Sequence, residues 1–152
     1  MNFAHLHLMF THLPIVGFGF TILINIYATL NRSNEPKKLT LWAYLLMGIF
    51  ALPAFLTGDS AAEIIKTYPN ISKNLIETHE LFGLLFFIGL MVLAAMALIG
   101  LYIAKTKESL TNKFNLYILI AALLLSMLAI KTGSSGGKIR HSEIMKIENQ
   151  QE

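Results

Sequence analysis

Four apolar runs divided by short polar stretches leave this chain little choice of fold. They read LPIVGFGFTILINIYATL (13–30), LTLWAYLLMGIFALPAFLT (39–57), LFGLLFFIGLMVLAAMALIGLYIA (81–104) and FNLYILIAALLLSMLAI (114–130). Each approaches the roughly 20 residues a helix needs to cross the hydrocarbon layer. Within that layer every backbone N–H and C=O must be satisfied internally, which helices do segment by segment. The reading is all-α: a four-helix transmembrane bundle with spans near 8–30, 39–57, 79–104 and 114–131. Pro53 is expected to bend the last turn of span two. The run GSSGG (133–137) is expected to end span four in a tight turn, because glycine is costly inside a helix. Residues 132–152 then form a tail able to fold back over the membrane surface.

Composition narrows the function classes. Only 14% of residues are charged and 55% are hydrophobic, against about a quarter charged in soluble domains. The absence of cysteine excludes thiolate-bound zinc, iron–sulfur clusters and haem attached through a C-x-x-C-H box. A net charge of +3 spread between apolar runs argues against nucleic-acid binding. The first residues lack a cationic region and a small-x-small cleavage site, so they read as the start of a retained helix.

Orientation follows from loop cations. The first and third connections carry Arg32, Lys37, Lys38, Lys105, Lys107 and Lys113 within 17 residues. The opposite side spreads Lys66, Lys73, Lys131, Lys138, Arg140 and Lys146 over more than 50. The denser side is expected to be cytoplasmic, with both termini and the 132–152 tail extracytoplasmic. The same parity brings all five histidines, His5, His7, His12, His79 and His141, to one membrane surface.

Three readings of those histidines stand side by side. Interfacial imidazoles can snorkel to water and lipid headgroups. They can ligate haem b, which needs one or two axial nitrogens and no covalent bond to protein. Glu77, Glu80, Asp59 and Glu63 lie on the side where they could hold the second imidazole nitrogens, and Gly17, Gly19 and Gly83 could line a slot. Or the histidines can bind zinc or copper, although no H-x-x-x-H or H-E-x-x-H spacing is present. Lys138 and Arg140 would be placed to pair with haem propionates. No internal repeat stands out.

HLMFTHLPI (7–15) resembles the H-P-x-x-x-H-F-P-I signature of the bacterial membrane-protein family known as domain of unknown function 2231. TGDSAAE (57–63), THELFG (78–83) and TGSSGGKIRH (132–141) resemble that family's later motifs in order. Leu8 and Leu13 stand where the signature has proline and phenylalanine, and the gap from the double glycine to His141 is shorter. The resemblance implies a four-helix bacterial inner-membrane protein that binds haem through His7, His12, His79 and His141, with His5 extra. It also implies association with electron-transfer components.

The expectation is a b-type cytochrome subunit with one haem b or two, His12 and His79 forming the first ligand pair. It would pass electrons between the quinone pool or a membrane partner and an extracytoplasmic c-type cytochrome. The alternatives are a histidine-based copper or zinc protein, and a cofactor-free structural or assembly subunit whose Trp42 and Phe-rich faces only pack. No ionisable residue lies near mid-membrane, where the polar groups are Asn25 and Ser126, so a transporter fits less well.

Overall fold

The structure, a computed structural model, describes residues 2–31, 33–68, 71–106 and 112–141. It is helical throughout: α1 (Phe3–Leu30), α2 (Asn34–Ile65), α3 (Lys73–Thr106) and α4 (Asn112–Arg140). All four are long and apolar enough to cross a membrane. Short connections make sequential helices antiparallel neighbours. α1 and α3 each pack on both α2 and α4, so the bundle is a closed ring with α1 and α3 on one diagonal. Only 33% of each span's apolar window is buried. The exposed remainder carries Leu, Ile, Phe and Val, which suits lipid rather than water.

The helix starts have local causes. Asn2 caps α1, its side chain accepting from the His5 N–H at 3.0 Å. Ser33 caps α2 through the Glu35 N–H. The capping Asn2 also bonds the His5 ring at 3.0 Å, so the exposed His5 is occupied at the helix start.

The helices run longer than hydropathy predicts. α1 begins at Phe3, which places His7 inside a helix. α2 continues through Pro53 and the polar GDSAAE segment to Ile65, so the second connection is short. Pro53 lacks an N–H, but its carbonyl accepts from the Thr57 hydroxyl at 2.8 Å, one turn on. Beyond the apolar run, Ala61 and Ala62 of α2 and Ile76 of α3 are buried. Packing continues past the hydrocarbon, where a hydropathy window no longer detects a span.

The larger correction concerns GSSGG. α4 passes straight through it to Arg140, with no positive-φ glycine. The buried face of α4 runs Ile118, Ala122, Leu125, Ala129, Thr132, Ser135, in steps of three and four. Thr132 and Ser135 extend that face in register, and their contacts with α3, described below, offset the propensity cost of the glycines. Through His141 the chain continues outward from α4 and does not fold back. The tail beyond His141 lies outside the described residues, as do Arg32, Lys107 and Lys146.

The core is built on α1 and α3. Phe18 (1% exposed) meets Phe86 across the diagonal at 5.6 Å and Tyr44 at 6.1 Å between ring centroids. Toward the cation-rich end lies a polar network. Asn25, fully buried, donates to the Tyr44 hydroxyl at 3.1 Å. Asn115 donates to the Thr29 hydroxyl at 2.7 Å, and the Thr29 hydroxyl donates to the Asn25 carbonyl at 2.8 Å. Ser126 instead bonds its own helix at the Leu123 carbonyl. Lys37, read above as a loop cation, is buried on α2 (3% exposed). Tyr44→Phe strands the Asn25 amide, so it is expected to destabilise the bundle by about 1 kcal/mol. Reversible unfolding in detergent measures the cost.

Candidate functional site: a histidine pair held by four helices

The buried face of α1 includes Pro14, Phe18, Thr21 and Asn25. Counting back seven from Pro14 reaches His7. On α3 the same face carries Phe86, Leu90, Leu93 and Ala97, and counting back seven from Phe86 reaches His79. The two imidazoles therefore meet across the diagonal at the end of the bundle opposite the polar network. Their ring centroids are 6.3 Å apart and their planes stand at 89°.

Each ring is anchored by the next helix in the same way. His7 Nδ1 lies 2.9 Å from the Ala54 carbonyl and 3.3 Å from the Thr57 hydroxyl of α2. His79 Nδ1 lies 3.2 Å from the Thr132 carbonyl and 3.0 Å from the Ser135 hydroxyl of α4. In both cases the acceptors are a carbonyl and the hydroxyl three residues later. The two hydroxyls are themselves donors to their own helices, Thr57 to Pro53 and Ala54, and Ser135 to Thr132. A carbonyl only accepts, so each Nδ1 carries the proton and each Nε2 keeps its lone pair. The glycine after each hydroxyl lies against the ring. A Cβ on Gly136 would crowd His79 Cε1 at 3.0 Å, whereas one on Gly58 would make ordinary contact with His7 Cε1 at 3.7 Å.

The anchoring is a local two-fold repeat: on the α1–α2 and the α3–α4 hairpin alike a histidine meets a carbonyl and a hydroxyl-glycine step, with His7 equivalent to His79 and Thr57-Gly58 to Ser135-Gly136. The sequence hides it, because only a histidine, a hydroxyl and a glycine are shared, at unequal separations. The carboxylates are not the ring partners expected above. Glu77 pairs with Lys73 and Glu80 with Lys66, while Asp59 and Glu63 are exposed.

The remaining predicted residues lie apart from the pair. His12 is five positions from His7, about 140° around the helix. It is exposed, and its Nδ1 bonds the Leu8 carbonyl of its own helix. The expected His12–His79 pairing is thus replaced by His7–His79, because the buried face of α1 passes through residue 7. His141 is exposed on the last turn of α4, its N–H bonding the Gly137 carbonyl. Lys138 and Arg140 share that last turn. Gly17 would meet Met47 and Gly19 faces open space, so neither lines the histidine site. Gly83 does lie close, with a Cβ there 3.9 Å from Thr132 Cγ2. Sequence reading missed Ala54, Thr57 and Ser135. The signal for Thr57 and Ser135 was a hydroxyl-glycine pair on the far end of each even-numbered span.

The model of a family described as "Predicted membrane protein (DUF2231)" matches residues 4–148. The chain belongs to that family. The match runs from the start of α1 past the end of α4, so the DUF2231 region contains both histidines and all four anchoring groups. No curated protein and no solved structure matches the chain.

The donor set can be tested against candidate cofactors. Two imidazoles gripping one ion from opposite sides, with metal–nitrogen bonds of about 2.0 Å, place their ring centroids roughly 6 Å apart. The observed separation is 6.3 Å, with the ring planes at 89°. Haem b asks for one or two axial ligands from the protein. A structural zinc ion asks for four protein ligands and a catalytic one for three. Among the described residues no group of three or more His, Cys, Asp or Glu side chains converges. In ligand number alone, two imidazoles meet the needs of a haem but fall short of those of a bare zinc ion.

Proposed function

We propose that this DUF2231 protein is a b-type cytochrome subunit that holds one haem between His7 and His79. The observation that carries the reading is the pair itself: two imidazoles on diagonal helices, 6.3 Å apart, each with Nδ1 committed to a carbonyl. That commitment aims the ligand nitrogen and fixes its tautomer. When bound, the haem supplies a one-electron carrier. The chain's own part is to orient the imidazoles and to enrich them through the Nδ1 hydrogen bonds. The glycines Gly58 and Gly136 lie against the His7 and His79 rings. Lys138 and Arg140, in the last turn of α4, are the cations this reading assigns to the propionates. His12 and His141 take no part in this pair.

In this reading the histidine end faces outward and the cation-dense end inward, in a bacterial cytoplasmic membrane. The site would exchange electrons with an extracytoplasmic carrier such as a c-type cytochrome, and with the quinone pool or a membrane partner. A haem spectrum of the purified protein tests the cofactor, as set out at the end of the Discussion.

The anchoring hydroxyls give a finer test. Thr57→Val and Ser135→Ala each leave the carbonyl partner but remove the second acceptor. Each is expected to weaken haem binding about tenfold. Each should also raise the midpoint potential, because a less electron-rich imidazole stabilises the oxidised iron less. Haem titration and potentiometry on the single variants read both effects.

A further inference from the structure

The opposite end of the bundle carries a second feature, independent of the histidines. Between α2 and α3 lies a concavity of about 400 Å³ lined by Lys38, Trp42, Leu101, Tyr102, Ala104 and Lys105. One turn deeper, the same two helices form a groove of about 150 Å³, whose walls include Leu45, Gly48, Ile49, Ala94, Ala95 and Leu98. Trp42 precedes Leu45 by three residues and Leu98 precedes Leu101 by three. The two hollows are therefore consecutive along both helices and form one furrow. From Lys38 to Ile49 it spans eleven residues, about 16 Å along the axis, close to half the hydrocarbon thickness. Its inner stretch is shallow because α2 and α3 close up at Gly48, where a Cβ would stand 2.7 Å from the Ala94 Cβ.

We propose that this furrow binds one anionic phospholipid. Its inner part is apolar and faces the bilayer, so an acyl chain fits there. Its mouth combines two lysines with Trp42 and Tyr102, both largely exposed, the ring types that settle at headgroup level. Lys105 makes no ion pair among the described residues. Lys38 pairs with Glu35 at 2.9 Å, but that carboxylate is 79% exposed, and an exposed pair is weak enough for a phosphate to displace. Charge thus selects an anionic headgroup, and the groove selects a lipid over a free anion.

The test is native mass spectrometry of the full-length protein in detergent, titrated with phosphatidylglycerol and with phosphatidylcholine of the same chain length. The expected result is one phosphatidylglycerol adduct, formed at about one tenth of the phosphatidylcholine concentration. Lys38→Gln/Lys105→Gln should erase that preference, and Ala95→Phe, at an exposed position in the groove, should weaken both lipids. Circular dichroism should show both variants as helical as the parent. Equal affinity for the two lipids in the parent, or an undiminished preference in the double-lysine variant, would overturn the proposal. So would competition by glycerol phosphate as strong as by the lipid, or tighter binding of a ubiquinone than of phosphatidylglycerol.

Discussion

His79→Ala is expected to cut haem per purified chain at least about tenfold, and His7→Ala to do the same. Each removes one of the two facing imidazoles that would hold the haem. His12→Ala and His5→Ala should leave the haem content and the reduced spectrum unchanged. His12 is exposed and bonded to its own helix at Leu8, and His5 serves the α1 cap through Asn2. The contrast is the informative part. General damage to the histidine-bearing end would lower haem in all four variants, whereas ligand loss separates His7 and His79 from their neighbours. Loss of haem in His12→Ala with retention in His7→Ala would reverse the assignment.

The second large effect lies in the glycines of α4. Gly136→Val is expected to lower haem affinity by about ten- to a hundredfold, the range for disturbing a ligand's support. Even a bare Cβ at Gly136 comes 3.0 Å from His79 Cε1. A valine would push the ring away from Thr132 and Ser135 and turn Nε2 off its line. Gly137→Ala points a methyl into open space. It should keep its haem and gain up to about 1 kcal/mol from helix propensity. Haem titration beside thermal unfolding of the two variants checks the pair of outcomes. Equal haem retention in both would show that Gly136 has no part in seating His79.

These glycines also mark where the sequence stopped being legible. Four helices, their antiparallel order and the gathering of histidines at one end follow from hydropathy and parity, since apolar runs of this length admit few alternatives. The run GSSGG misled because helix propensity is a local quantity. In the bundle, Thr132 and Ser135 continue a buried face in register, and Gly136 lets the histidine of α3 approach. Tertiary contact outweighs the local cost. A similar limit applies at α1. The spacing of His7 and His12 shows that they diverge around a helix, but not which of them faces inward. That depends on the register of Pro14, Phe18 and Asn25, which lie about two to five turns beyond His7 and whose inward face hydropathy does not mark. Ala54 was invisible for another reason. It acts through its carbonyl, and no side-chain pattern reports a backbone acceptor.

The two-fold repeat carries the same lesson. His7 and His79 are 72 positions apart, while their hydroxyl partners Thr57 and Ser135 are 78 apart. A fixed-period comparison of the sequence misses an equivalence that the hydrogen bonds make plain. The arrangement resembles two copies of a helical hairpin, each contributing one imidazole, one carbonyl and one hydroxyl-glycine step to a shared site on the bundle axis.

The most direct measurement is a reduced-minus-oxidised visible spectrum with haem quantitation on the detergent-purified, full-length protein, alongside the His7→Ala/His79→Ala double variant. Haem held by this pair predicts sharp low-spin bands, one haem per chain, and their loss in the double variant. A colourless parent protein, or a double variant that keeps the parent's spectrum, would contradict it.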